Sequence, residues 1–192
     1  FDNKVVTTLT RTCRRAGGAA LRFNFRGVGQ SAGPHGGGLG EVDDTCLMAA
    51  WLRERMTREK VTAPLWLAGF SFGSMVAAHA AVRLAKQGQP VAHLLLVAPP
   101  VHFYTWPALA DCACPVTIVQ GQADDVVPPD EVEAFAAKQT GADTVYQGVK
   151  AFGFGRPTGI DLQGEANGVV YTNANADWRP ISLATNSFGQ GL

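Results

Sequence analysis

A short apolar run, Leu65 to Ala68, leads directly into the segment Gly69-Phe70-Ser71-Phe72-Gly73, and a run of small residues follows it. The pattern G-x-S-x-G between a strand and a helix places a serine on a sharp turn, and its glycines stand where strand and helix crowd together. The serine hydroxyl then lies at a helix N-terminus, where the next backbone amide can stabilise an oxyanion. The pattern predicts Ser71 as a nucleophile and the amide of Phe72 as an oxyanion donor. The alternative is an ordinary Gly-Ser turn.

Strand-like and helix-like segments alternate along the first two-thirds of the chain. Buried strands are predicted from runs rich in apolar residues at 19–25, 65–69, 91–98 and 116–120. Helices are predicted from apolar spacing and capping residues at 3–15, 41–56, 72–86 and 129–138. Apolar strands alternating with helices indicate an α/β fold with a parallel sheet flanked by helices. Reactive groups in such a sheet lie at the carboxyl ends of the strands.

An acidic pair follows the last predicted strand. Asp124 and Asp125 come just after Gly121, ahead of a helix that starts near Pro129. A carboxylate past the end of a late strand is where this chemistry places the acid that orients the catalytic histidine. We choose Asp124 over Asp125 for that role. The alternative is that both residues only cap a turn.

Bulk composition excludes several classes of function. Lys plus Arg and Asp plus Glu both number 16, so the net charge is zero and no nucleic-acid partner is indicated. No apolar run reaches the length of about 20 residues that a membrane span needs. The four cysteines lack the pairing of a zinc site, so free thiols and a cytoplasmic location are expected, with no metal. No cofactor is expected either, because the glycines at 27, 29 and 33 do not have dinucleotide-binding spacing.

Several segments together resemble one protein family. These segments are DNKVVTTL, ALRFNFRGVGQSAG, GEVDD, PLWLAGFSFGS, LLLVAPPV and CPVTIVQGQADDVVPPDEVEAF. They resemble a family of small bacterial α/β-hydrolases, and the resemblance covers residues 1 to about 138. It implies a serine hydrolase that acts on an ester-like bond of a small-molecule substrate.

Two parts of that family's machinery are not found in the sequence. The resemblance implies a triad histidine after the acid, but no histidine follows His102. It also implies a strand and an oxyanion loop ahead of DNKVV, so a partial sheet lacking its first strands is expected. In that family the missing strand lies between the strands that match 19–25 and 65–69. Without it, these two predicted strands either pair with each other or are poorly ordered. Activity is therefore expected to be absent or crippled.

Other histidines are candidates for the missing base. His35, in the Gly-rich loop, and His102, past a strand end, are both expected on the active-site side. His79 lies too deep in the helix behind Ser71, and His93 lies at the wrong end of its strand. Surface or loop histidines without a catalytic role are the alternative for all of them, since a base needs contact near 3 Å.

The last part of the chain differs from the rest in composition and pattern. After residue 140 glycines recur, no strand–helix alternation is found, and an irregular Gly-rich segment is expected. The segments AFGFGRPTGIDLQGEANG and SLATNSFGQG resemble the transpeptidase domain of class B penicillin-binding proteins. The motifs S-x-x-K, S-x-N and K-T-G, which carry that chemistry, are absent. The sequence thus predicts a hydrolase part at 1–138 and a transpeptidase-like fragment at 139–192, with a non-catalytic chimeric fragment as the alternative to an enzyme.

Overall fold

The computed structural model describes residues 3–140, which fall into two units that divide after Gly121. The first unit contains three α-helices, α1 (Lys4–Arg15), α2 (Leu39–Arg58) and α3 (Phe72–Lys86), a short 3-10 helix (Leu109–Cys112), and strands β1 (Trp66–Phe70), β2 (His93–Val97) and β3 (Val116–Val119). The second unit contains helix α4 (Pro129–Thr140). These bounds confirm the predicted helices and three of the four predicted strands to within a few residues. The 3-10 helix had no sequence prediction.

The three strands form a parallel sheet in the order β1-β2-β3. Phe70 pairs with Val97, and Leu94 pairs with Val116, so the carboxyl ends of the strands lie along one edge. Parallel neighbours need a crossover between them, and α3 supplies the one from β1 to β2. This arrangement confirms the predicted fold class of a partial α/β-hydrolase sheet flanked by helices.

Helix α3 is the central packing element of the first unit. It contacts β1, β2, α2 and the 3-10 helix, and most of its residues are buried. The core cluster contains Val42 of α2 together with Met75, Val76 and Ala80 of α3. Alanines along α3 allow this close approach because they bury no large side chain. The helix that follows Ser71 is therefore fixed on several sides.

The predicted strand at 19–25 is wrong. The residues from 19 to 25 form neither helix nor strand, and none of them is fully buried. Apolar composition favours a strand only when a neighbouring strand satisfies the backbone N–H and C=O groups. Within residues 3–140, no strand pairs with this segment. Pairing of this segment with β1, which was one of the two expected outcomes, is therefore excluded.

Two further predictions concern the ends of the described region. Of the two candidate caps, Asp2 and Asn3, it is Asn3 that caps α1, because its side-chain oxygen accepts hydrogen bonds from the amides of Val5 and Val6. The predicted irregular Gly-rich segment lies outside the described residues. Among helices of the described region, none combines the length and hydrophobicity needed to cross a membrane.

Candidate active site

Ser71 occupies a strained turn between β1 and α3. Its backbone has φ of 51° and ψ of −125°, a region that residues with a side chain rarely adopt. Neighbouring elements hold the turn, since the Ser71 amide donates to the carbonyl of Val97 at 2.9 Å. Ser74 adds two bonds to the Ser71 carbonyl, one from its amide at 2.8 Å and one from its hydroxyl at 2.5 Å. The predicted sharp turn is present at this serine.

The two glycines of the turn differ in how much space surrounds an added Cβ atom. A Cβ added to Gly69 would overlap the carbonyl group of Gly73, so only glycine fits at that position. A Cβ added to Gly73 would meet the ring of Phe25 at 3.8 Å, which is an ordinary contact. The close approach of strand and helix thus needs glycine at 69 and not at 73.

The Phe72 amide lies at the start of α3, next to Ser71, and its role as an oxyanion donor stays a prediction. Phe72 is the first residue of α3, and the first amides of a helix have no acceptor within it. The same amides carry the positive end of the helix dipole, which favours negative charge. Within residues 3–121, the Ser71 hydroxyl has no hydrogen-bond partner. Ser71 and the Phe72 amide are therefore adjacent at the N-terminus of α3.

The Gly-rich loop before α2 is held by a carboxylate that the sequence analysis gave no role. Glu41 is fully buried, and its two oxygens accept hydrogen bonds from the amides of Gly36 at 2.7 Å and Gly38 at 2.8 Å. Burial alone would raise the pKa of Glu41, but hydrogen bonds from the amides of Gly36, Gly38 and Glu41 itself, together with nearby His35, more than offset it, so the pKa lies below its usual value. Glutamate three residues after a helix N-cap is the signal that could have identified it.

A second carboxylate anchors the start of the same loop. Asp44 of α2 receives two parallel hydrogen bonds from Arg26, at 2.6 Å and 2.8 Å. This ion pair lowers the pKa of Asp44 and raises that of Arg26. A bidentate pair fixes orientation as well as distance. Glu41 and Asp44 of α2 therefore position the loop beside the Ser71 turn.

His35, in the Gly-rich loop, contacts the residue that follows Ser71. Its ring centroid lies 5.2 Å from that of Phe72. Its Nδ1 accepts a hydrogen bond from the Gly37 amide at 3.1 Å, so the neutral ring carries its proton on Nε2. A triad base needs the opposite arrangement, with Nδ1–H facing the acid and a free Nε2 facing the serine.

The other three histidines are engaged elsewhere. His79 Nε2 lies 2.9 Å from the Thr105 carbonyl, which only accepts, so that nitrogen carries the proton. His93 pairs with Trp66 at the amino ends of the strands, opposite the Ser71 turn, and its Nε2 lies 2.8 Å from the Thr117 hydroxyl. His102 is exposed and contacts the ring of Phe103, with centroids 4.0 Å apart.

Asp124 lies in the second unit and caps a turn there. Its Oδ1 accepts hydrogen bonds from the amides of Val126 at 3.0 Å and Val127 at 2.9 Å. Asp124 is half-buried, whereas Asp125 is exposed. The turn-capping alternative therefore describes what Asp124 does within its own unit, and its role as the triad acid stays a prediction.

A groove of about 680 Å³ runs beside α3. Its α3 residues extend from Met75, one turn after Ser71, to Lys86 near the end of the helix. At 1.5 Å per residue this spans about 16 Å. The groove is lined by apolar and polar side chains, among them Val42, Met75, His79, Val82, Arg83 and Tyr104.

Comparison with known protein families finds two matches. Residues 26–110 match the thioesterase domain, and residues 132–192 match the penicillin binding protein transpeptidase domain. The second match begins inside α4. Both resemblances predicted from the sequence are therefore confirmed, while the boundary between the two parts stays a prediction.

Individual relatives agree with these matches. The uncharacterized protein RP471 of Rickettsia prowazekii is 36% identical over 136 residues, which are 69% of this chain and 54% of that protein. Stage V sporulation protein D of Bacillus subtilis is 40% identical over 55 residues, 29% of this chain and 8% of that protein. The chain therefore spans about half of the first relative and a small part of the second.

Two solved structures share the fold. One is an α/β serine hydrolase homologue from Coxiella burnetii, with a TM-score of 0.63 and 40% identity; the match covers 73% of this chain and 63% of that one. The other is an α/β-hydrolase-type protein of unknown function from Agrobacterium tumefaciens, with a TM-score of 0.62 and 28% identity, covering 72% and 60%. The described region thus has the fold of α/β-hydrolases.

Proposed function

We propose that this chain carries part of a serine hydrolase site of the α/β-hydrolase type, which acts on an ester-like bond. Ser71 is the nucleophile, the Phe72 amide donates to the oxyanion, and Asp124 is the acid of the triad. The observation that carries the proposal is the backbone of Ser71, whose positive φ at the junction of β1 and α3 stores strain at a serine. Such strain is retained where the surroundings over-determine it, which is typical of functional turns.

The expected activity is very low because no base is assigned. No histidine follows Asp124 in these 192 residues, and the hydrogen bond to Nδ1 of His35 gives that ring the wrong tautomer. A serine hydroxyl without a base is a weak nucleophile. Removal of triad members leaves a residual rate that comes from the oxyanion donors and substrate binding. We expect negligible turnover of p-nitrophenyl esters.

The bond attacked is an ester or a thioester of a small molecule. The match of residues 26–110 to the thioesterase domain supports the thioester, and the groove along α3 supports a small ligand. Because the groove begins one turn from Ser71, it is a candidate for the binding site of the acyl group or the leaving group. Neither feature requires a cofactor.

The test supplies the missing base from solution. A fluorophosphonate probe reacts when the serine oxygen attacks phosphorus and fluoride leaves, with the hydroxyl proton taken by a base. We expect slow labelling of the wild-type chain, faster labelling as imidazole is added, and adduct mass on the peptide that contains Ser71. Ser71→Ala is the matched control and should stay unlabelled at every imidazole concentration.

Two results would contradict this proposal. Absence of labelling at any imidazole concentration would support the alternative, a non-catalytic chimeric fragment. Rapid ester turnover without imidazole that disappears in Ser71→Ala would mean that the chain has its own base. In that case His35→Ala and His102→Ala would identify which histidine supplies it.

A penicillin-binding activity is the second candidate, because residues 132–192 match the transpeptidase domain. The chemistry of that family needs a serine in an S-x-x-K motif, and no such motif occurs in the sequence. We therefore expect no covalent labelling by a fluorescent penicillin. Labelling that survives denaturation would show a nucleophile outside the three known motifs.

A further inference from the structure

Two cysteines lie side by side where the 3-10 helix leads into β3. The sulfurs of Cys112 and Cys114 are 3.5 Å apart, and the Cys112 thiol also lies 3.4 Å from the carbonyl of Cys114. Cys112 ends the 3-10 helix and is fully buried, whereas Cys114 is partly exposed. The two side chains therefore point to the same place from positions only two apart in the chain.

The residue between them makes this approach possible. Ala113 has φ of 53° and ψ of 31°, the left-handed conformation that tightens a turn. Successive Cα atoms are about 3.8 Å apart, so a tight turn brings residues two apart to less than about 7 Å. A disulfide needs a Cα separation of about 4.4 to 6.8 Å. Backbone geometry at Ala113 is thus compatible with a covalent bond between the two sulfurs.

We propose that Cys112 and Cys114 form a site of reversible oxidation that closes to an intramolecular disulfide. Cys13 and Cys46 are not part of it: the Cys13 sulfur lies near the Ala19 carbonyl, and the Cys46 sulfur lies near the Ala80 carbonyl. Among the described residues, no group of three or more potential ligands could hold a metal ion at this pair. A soft-metal site of the common kinds needs more ligands than these two thiols.

A small disulfide, such as oxidised glutathione, is the oxidant that converts the two thiols to a disulfide. Cys114, the more exposed thiol, loses its proton and attacks one sulfur of the oxidant, which releases one glutathione thiolate and leaves a mixed disulfide. Cys112 then loses its proton and attacks the Cys114 sulfur, which releases the second glutathione. The two cysteines are oxidised by two electrons, and the oxidant is reduced to two thiols.

The environment of the pair determines how fast it reacts. Burial, followed by the hydrogen bond and charge of the neighbouring Cys112, raises the pKa of Cys114 to about 12. Since the thiolate is the attacking form, reaction at neutral pH is slow and accelerates with pH. Asp111, which precedes Cys112 in the chain, pairs with Lys86 at 3.5 Å. The site is therefore suited to a slow, lasting oxidation rather than rapid exchange.

The closed bond would join the end of the 3-10 helix to the start of β3. Pro115 already accepts a hydrogen bond from the amide of Leu94 at 3.0 Å, so the segment is tied to β2. The ring closed by the disulfide is very small, and stabilisation by a cross-link grows with the length of the loop it closes. We therefore expect a chemical change with only a small effect on overall stability.

The experiment uses the full chain and oxidised glutathione at pH 8.5, with remaining thiols blocked by N-ethylmaleimide. No lysine or arginine lies between Gln87 and Lys138, so trypsin leaves both cysteines in one peptide. We expect that peptide to lose two hydrogens without gaining glutathione, and the count of free thiols to fall from four to two. Dithiothreitol added to a parallel sample before the N-ethylmaleimide should restore all four.

Two matched variants separate the pair from general thiol oxidation. In Cys112→Ser the remaining Cys114 should retain bound glutathione, because no second thiol can displace it. Ala113→Gly keeps the left-handed turn and should close as the wild type does. A wild-type peptide that keeps glutathione or stays reduced while Cys13 and Cys46 react would overturn the proposal. So would a link from Cys112 or Cys114 to either of those cysteines.

Discussion

Strand β1 and the segment from 19 to 25 look alike in sequence but differ in structure. Both are short apolar runs that lead into a glycine-containing turn. β1 pairs with β2 along its whole length, while the segment from 19 to 25 has no partner strand within the described residues. The difference teaches that an apolar run specifies a strand only together with a neighbour that accepts its hydrogen bonds.

The largest expected effect tests this comparison with two leucines. Leu96 in β2 is fully buried, whereas Leu21 is 39% exposed. Leu96→Ala should lower the free energy of unfolding by about 3 kcal/mol, because it removes buried methyl groups and leaves a cavity. Leu21→Ala should lower it by about 0.5 kcal/mol or less. Urea titration of both variants checks this, and equal losses would mean that residues 19–25 contribute to the core.

The next effect concerns the turn in which β1 ends. Gly69→Ala should cost about 2 to 3 kcal/mol of unfolding free energy, because the added Cβ overlaps the backbone of Gly73. Gly73→Ala is the matched control and should be neutral, or stabilising by about 0.5 kcal/mol, since alanine favours a helix. Thermal unfolding of the two variants measures the difference. If Gly73→Ala proved the more harmful, the geometry described for the turn would be wrong.

A smaller effect concerns the Gly-rich loop after residues 19–25, which is held by side-chain hydrogen bonds rather than by strand pairing. Glu41→Ala should cost about 2 kcal/mol, because the amides of Gly36 and Gly38 lose a charged acceptor. The measurement is chemical unfolding at pH 7. A loss no larger than that of an exposed alanine substitution would mean that the loop is held by other contacts.

The same carboxylate predicts a dependence on pH. The pKa of Glu41 is lower in the folded chain than in the unfolded chain, so its contribution is present above an unfolded pKa of about 4.3 and is lost as the pH falls through the folded value. The difference in unfolding free energy between wild type and Glu41→Gln should therefore shrink below about pH 4. A difference that stays constant down to pH 3 would contradict the lowered pKa.

The smallest expected effect is at His35, the histidine that the loop places against Phe72. His35→Ala should leave the rate of Ser71 labelling by the fluorophosphonate unchanged in the absence of imidazole, because Nδ1 is already used by the Gly37 amide. His93→Ala, at the opposite edge of the sheet, is the matched control. A several-fold loss of labelling in His35→Ala alone would make His35 a base.

Much of the first unit was predictable because its signals are local. The G-x-S-x-G pattern between an apolar run and small residues predicted the turn at Ser71 and the helix after it, which the structure places at Phe72–Lys86. The role of Glu41 was missed although its place three residues after the N-cap Gly38 is a capping signal. Its bond to the Gly36 amide depends on the folded loop. The close approach of the Cys112 and Cys114 sulfurs was missed because it depends on the left-handed conformation of Ala113.

The sequence by itself determined the order of the four α-helices and of β1 to β3, the α/β class, the serine turn and the two family resemblances, since periodicity, glycine positions and motifs are properties of neighbouring residues. Only the tertiary structure decided that residues 19–25 form no strand, that Gly69 rather than Gly73 requires glycine, and that two thiols meet. Each of these depends on which groups lie opposite one another after folding. The physical reason is that hydrogen bonds and steric contacts depend on where the folded backbone places the partners, whether these are distant in the chain or only a few residues apart.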